Sequence, residues 1–286
     1  MHAAAPKVIP ELRVDRPDSR RQAVYAAAAE VTQLLGWSAY DLGRQAVAAR
    51  YFTLGLRLAD EASDRPLGAR LLANLSHQYN ALGDFRQALT TARAARVALR
   101  GCGAPRVETM CVMMEARALA GLRDGRGTVQ AINQAERLFG CSSPEEPSWI
   151  SYYDAAELSG DIAHAFRDLG EEKRAREFAR AALTTTTPRR TRVFIKLLDA
   201  HAALQHGEME EAAHLATGAL RIGKGLKSKR YLHYLRTFAR SLPEPGHPTM
   251  AEFTHTLIRQ HPDFSLNPDK GTAKLEPAPA LGKSVT

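Results

Sequence analysis

Small and apolar residues recur along this chain at helical spacing, in pairs of stripes parted by short polar turns. In LLANLSHQYNALGDFRQALTTARAARVA, residues 71–98, Leu72, Leu75, Ser76 and Tyr79 share one stripe of a helix whose other faces carry Asn74, His77 and Asn80. Gly83 and Asp84 supply a stop and a new start. On the next helix Ala88, Ala92 and Ala95 form a small-residue stripe beside Leu89 and Val97, so two antiparallel helices can pack at short distance. The spacing predicts a helical hairpin.

A single hairpin cannot bury both of its apolar sides, and this one has copies. Residues equivalent to Ala88 are Ala48, Thr128, Ala175 and Ala212, each with companions: Leu35, Gly36, Phe52 and Gly55; Ile162, Ala163, Phe166 and Gly170; Ala200, Ala203 and Gly207. The third copy is the poorest match, keeping Leu119, Leu122, Ile132 and Ala135 around an Arg123-Asp124 turn. With this spacing of Leu, small residue, aromatic, Gly and three Ala-like positions the chain resembles the tetratricopeptide repeat (TPR) family over about residues 22 to 222. The resemblance implies an all-α, right-handed solenoid of about five helical hairpins. Steps between anchors run from 37 residues (Ala175 to Ala212) to 47 (Thr128 to Ala175), so loops of unequal length are expected between hairpins.

Residues 1–19, with Pro6, Pro10 and Pro17, are expected to form an irregular arm, and the repeat domain spans 20–242. Trp149 leads into a helix running to about Leu169, and Leu232, Leu235, Phe238 and Leu242 mark a closing amphipathic helix. A linker and short helix occupy 243–260, and the aperiodic stretch 261–286 is expected to be disordered.

If the array coils as TPR proteins do, the first helix of each hairpin turns one stripe inward. In register, Trp37, His77, Arg117, His164 and His201 coincide. The groove residues expected to contact a ligand are Trp37, Tyr40, Asn74, His77, Asn80, Arg117, Glu157, Asp161, His164 and Arg167. Amides can pair with a peptide backbone, and Trp and Met can take its apolar groups. The bland alternative is a solvated polar helix face.

Chemistry is poorly supported. Asp154, Glu157, Asp161 and His164 share a helix face, but no Glu-x-x-His partner completes a metal set, so the carboxylates are expected to pair with arginines; no metal or cofactor is expected. Gly218 to Gly225, GALRIGKG, misses a P-loop at its last position and follows a helix. No Gly-x-Ser-x-Gly, His-Glu-x-x-His or dinucleotide motif occurs, so no enzyme is expected. Cys102, Cys111 and Cys141 read as plain thiols of a reducing compartment. Without a long apolar run or a secretory signal, a cytoplasmic protein off the membrane is expected.

The net charge of +8 is unevenly placed. Between Ala212 and Pro243 no acidic residue occurs, whereas Arg221, Lys224, Lys227, Lys229, Arg230, Arg236 and Arg240 all fall there, interleaved with Tyr231, Tyr234 and Phe238. Either this is a cap with a basic exposed side, or a salt-dependent nucleic-acid surface, which makes a nucleic-acid-associated regulator the alternative function.

A second resemblance lies in the wording of LLGWSAYDLGRQAVAARYFTLGLRLADEASDRPLGARLLANLSHQYNALG, YYDAAELSGDIAHAFRDLG and GEMEEAAHLATGAL. These stretches resemble the sensor half of bacterial helix-turn-helix transcriptional regulators of the XRE class. That resemblance implies a role in transcriptional or developmental regulation. Fewer than about 22 residues precede the first repeat helix, too few for a helix-turn-helix, so no direct sequence-specific DNA reading is expected. The expected function is non-enzymatic binding of a peptide or protein segment; self-association through the apolar edge of an end hairpin, giving a homo-oligomer, is a further alternative.

Overall fold

The computed structural model describes residues 18–141, 146–242, 248–262 and 264. Among the described residues there are α-helices and two 3-10 turns, and no strand. In chain order the helices are α1 (Asp18–Asp41), α2 (Gln45–Glu61), α3 (Arg65–Leu82), α4 (Phe85–Ala98), α5 (Pro105–Gly121), α6 (Gly125–Gly140), α7 (Ala155–Leu169), α8 (Glu172–Ala181), α9 (Arg189–Gln205), α10 (Met209–Gly223), α11 (Lys229–Arg240) and α12 (Ala251–Gln260). The first ten pack as five consecutive hairpins, as the small-residue periodicity predicts. The expected arm lies outside the described residues up to 17, as does most of the expected tail.

The second and third hairpins share one capping chemistry. Asp64, Asp84 and Asp124 cap α3, α4 and α6, each carboxylate accepting from a backbone N–H three residues on, at 2.9, 3.1 and 2.8 Å. These bonds satisfy donors that a helix start otherwise leaves unpaired. Ala48, Ala88, Ala175 and Ala212 are fully buried where the paired helices meet. Thr128 fills the same place because its hydroxyl donates to the Asp124 carbonyl at 2.8 Å, so the extra polar group stays satisfied. Its turn bends at Arg123, whose φ of 64° is unusual for a side chain with a Cβ.

The third hairpin, the weakest repeat by pattern, supplies the most buried helix of the array. α5 packs against α3, α4, α6 and α7. A helix covered on nearly every side carries no single apolar stripe, which is why its periodicity is faint. Glu115 on α5 is held by Arg93 and Arg96 of α4 at 2.9 and 2.5 Å. Glu146, from the long loop that follows α6, accepts from the Arg106 and Val107 N–H groups at the start of α5.

One helix boundary differs from expectation. Ser148–Ile150 is a single 3-10 turn, and α7 begins only at Ala155. Asp154 is its N-cap, accepting from Ala156 and Glu157 N–H at 2.9 and 3.0 Å. Its carboxylate is therefore spent on backbone and does not share the face of Glu157, Asp161 and His164.

After the fifth hairpin α11 lies on α9 and also reaches α1, so the array closes upon itself. Ser228, the N-cap of α11, donates its hydroxyl to Asp41 at 2.8 Å while accepting from Tyr231 N–H at 3.1 Å. Arg190 pairs with the same Asp41 oxygen, and Arg230 Nε lies 3.7 Å from it. α12 packs on α10.

Close packing makes one glycine indispensable and another dispensable. A Cβ on Gly36 would stand 2.5 Å from the ring of fully buried Phe52, whereas one on Gly218, inside α10, meets nothing within 4 Å. G36A is expected to lower stability by about 1–3 kcal/mol by overpacking, and G218A to raise it by about 0.5–1 kcal/mol through helix propensity. Urea unfolding midpoints of the two variants check both signs.

Candidate ligand channel

The first helices of the hairpins, α1, α3, α5, α7 and α9, turn one face towards the inside of the closed array, and α11 lies across it. Trp37, Tyr40 and His77 form a triangle of rings with centroids 5.3–5.4 Å apart. Arg230 reaches in from α11 and lies over Phe194 at 4.0 Å, with Trp37 and Tyr40 at 5.5 and 5.8 Å. Tyr234, one turn further on, meets Phe194 and His164 edge-on. These α11 side chains, with His77 and Arg117, make a wall between two chambers of about 400 and 490 Å³.

Every predicted groove residue lines one chamber or the other. Trp37, Asn74, Glu157, Asp161 and His164 border the first; Tyr40, Asn80 and Arg167 border the second; His77 and Arg117 face both. Sequence reading did not place Tyr152, Tyr153, Arg190, Thr191, Arg230 or Tyr234 there. The two tyrosines come from the segment before α7, and Arg230 and Tyr234 arrive from the far end of the chain. Their i, i+4 spacing on one basic, aromatic helix was the available signal.

The first chamber is rich in polar atoms without partners inside the protein. Gln33 Oε1, Arg70 Nε, Asn74 Nδ2, Arg117 Nε and His164 Nδ1 are buried and make no hydrogen bond within the chain. All five side chains belong to residues no more than 9% exposed. They come from α1, α3, α5 and α7. Their neighbours are partly apolar: Trp37, Met110 and Met114 line the same space, while Met113 is turned into the core. Arg70 lies over Trp149 at 4.7 Å and near Tyr152 at 5.8 Å.

Charge in the channel is shaped by burial. The carboxyl of Glu157 is pushed up to about 7, chiefly by burial and then by neighbouring Asp161. Burial also raises Asp161, against the opposing pull of Arg117 3.8 Å away and a 2.8 Å hydrogen bond donated by the Tyr153 hydroxyl. His77 and His164 are held well below the ordinary histidine range by burial, and further by Arg117. Arg117 Nη1 lies 3.1 Å from His77 Nδ1, so neutral His77 accepts from it. Among the described residues no group of three or more His, Cys, Asp or Glu is placed to hold a metal ion. Cys111 is buried and its thiol pushed up by that burial, which keeps it protonated and unreactive.

The basic segment does not form one surface. Arg230 points into the channel wall, Arg221 pairs with Glu252, and Arg236 sits 5.5 Å from the Phe264 ring. Lys224, Lys227, Lys229 and Arg240 are exposed. The P-loop-like GALRIGKG is the end of α10, with Gly225 in a left-handed turn at φ 79°. No described helix is long and apolar enough to cross a membrane.

No protein-family model matches the sequence, and no curated protein does either. Solved structures match in fold. A Rap protein complexed with competence and sporulation factor superposes with a TM-score of 0.60 at 12% identity, over 82% of this chain and 65% of that one. A thermophilic TPR protein of Thermus thermophilus gives 0.48 at 22% identity, over 73% of this chain and 99% of that one. The chain thus spans less than two thirds of the Rap chain's length. The likeness is one of architecture: an all-α array of the TPR type.

Two outcomes follow from these contacts. D41N leaves Arg190 and Arg230 without their shared carboxylate, and is expected to free α11 locally by about 1–3 kcal/mol; hydrogen exchange should quicken in α11 and remain slow in α5. For Glu157, the folded state favours the protonated form. Its contribution to stability is therefore full below the ordinary value of 4.5 and lost as pH rises through about 7. His77 and His164 act oppositely, contributing above the ordinary 6.5 and losing that contribution as pH falls. A carbon-13 titration should place the Glu157 midpoint near 7 and show it lowered, yet still above 4.5, in D161N.

Proposed function

We propose that this protein is a non-enzymatic receptor whose inner channel binds a short peptide or an extended protein segment. The observation that carries this reading is the convergence on the first chamber of five buried polar side chains, from four different helices, whose unpaired atoms include both donors and acceptors. A buried polar atom left unpaired is costly, and a ligand presenting alternating N–H and C=O groups would satisfy them. Asn74 can donate to a peptide carbonyl, and Gln33 can accept a peptide N–H. Trp37, Met110 and Met114 offer apolar contact between those points, the usual composition of a ligand pocket, and about 400 Å³ lies in the range of such pockets. The Rap structure, which holds competence and sporulation factor on an array of like fold, supports looking for a ligand here.

The stretches resembling XRE-class sensor halves support a regulatory role, in which ligand occupancy is read out by a partner of this protein. The exposed Lys224, Lys227, Lys229 and Arg240 keep a nucleic-acid contact as the second reading. It would use charge alone and fade with salt.

Selection of a displayed random decapeptide library on the full chain tests the first reading. Enriched peptides are expected to bind N74A/H164A at least about tenfold more weakly, the loss of two hydrogen bonds in a buried site, with helical content unchanged by circular dichroism. Equal affinity in the folded variant would remove the channel as the binding site.

A further inference from the structure

The second chamber differs from the first in how its charge is balanced. Four guanidinium groups line it, from Arg117, Arg123, Arg167 and Arg230, against one carboxylate, Asp168. That carboxylate is already engaged by Arg167 Nε at 2.9 Å, and Arg123 Nη1 donates at 3.0 Å to the Asp168 backbone carbonyl. The first chamber, by contrast, sets Glu157 and Asp161 beside its arginines. Two of the four belong to the shared wall and meet carboxylates outside the second chamber, Arg117 with Asp161 at 3.8 Å and Arg230 with Asp41 at 3.7 Å, while Arg117 is only 6% exposed.

Histidines do not add acceptor charge. His77 and His201 also border this space, each lowered by burial and then by a neighbouring arginine. Cations gathered in a half-enclosed space repel one another more strongly than on an open surface. A repeat array has ample outer surface for arginines, yet four here face one chamber from α5, the α5–α6 turn, α7 and α11.

From this arrangement we infer that the second chamber is an anion site, taking a carboxylate or phosphate group of the ligand between Arg117, Arg123 and Arg167. Guanidinium forks match both groups geometrically, and charge-assisted hydrogen bonds are the strong ones. The inference deepens the proposed function and rests on it for the identity of the ligand: a segment whose backbone occupies the first chamber would carry an acidic end or side chain past the wall of Arg230 and Tyr234. The anion site itself is defined by its own residues and can be tested alone.

Melting of the full chain in inorganic phosphate, in acetate and in chloride at equal ionic strength gives the test. Saturable stabilisation by phosphate, acetate or both, beyond that in chloride, is expected. Its apparent Kd should weaken about tenfold in R123Q and further in R123Q/R167Q. It should be unchanged in K224Q/K227Q, which removes equal charge at exposed positions outside both chambers. Preference for phosphate would identify a phosphorylated ligand, and preference for acetate a carboxylate. No saturable effect in the wild type, or the same Kd in R123Q, would overturn the inference; because Arg123 is exposed, that single variant decides the matter even if the double variant does not fold. Peptide capture without an anion effect would sink this site alone, and an Arg123-dependent anion effect without peptide capture would sink the peptide reading alone.

Discussion

A single carboxylate joins the two ends of the hairpin array. Asp41 closes the first helix and meets Ser228, Arg190 and Arg230, side chains from the fifth hairpin and the helix beyond it. Hairpin arrays are held by contacts between neighbours, so their ends ordinarily have no reason to meet. Here the superhelix is short enough for α11 to return to α1, and the hydroxyl that caps α11 is the one bonded to Asp41. Helix start and ring closure therefore depend on one another. Loss of either loosens both.

Closure turns a groove into chambers. An open array would leave its inner polar stripe in water, where unpaired amides and guanidinium groups cost nothing. Once α11 lies across the opening, Asn74, Arg117 and His164 are removed from solvent, and their free hydrogen-bonding capacity becomes a recognition feature. The same burial lifts Glu157 into the neutral range and holds the histidines uncharged. The channel thus contains one carboxyl, that of Glu157, whose charge can respond to a ligand near neutral pH. Arg230 stands between the chambers, stacked on Phe194.

The hairpins could be read from residues because their physics is local. Ala88, Ala92 and Ala95 recur at helical spacing, Asp84 follows Gly83, and each feature acts within one turn of itself. All ten predicted groove residues line the channel for the same reason: register within each first helix sets which face turns inward. Failures came where neighbours over several tens of residues intervene. The third hairpin gave a weak pattern because α5 is wrapped by four other helices. Asp154 shares the periodicity of Glu157 and Asp161 yet caps a helix start, since a preceding 3-10 turn delays α7.

The sequence by itself determined the helices, their pairing and the stripe of Trp37, His77, Arg117 and His164, because side-chain spacing on a helix is a property of neighbours in the chain. Only the tertiary structure decided that Arg230 and Tyr234 divide the interior, that one basic segment is split between channel wall and outer surface, and that two chambers carry different charge balances. Those outcomes depend on how far five hairpins curve before the last helix meets the first, and curvature accumulates from small packing offsets that no single stretch of residues records.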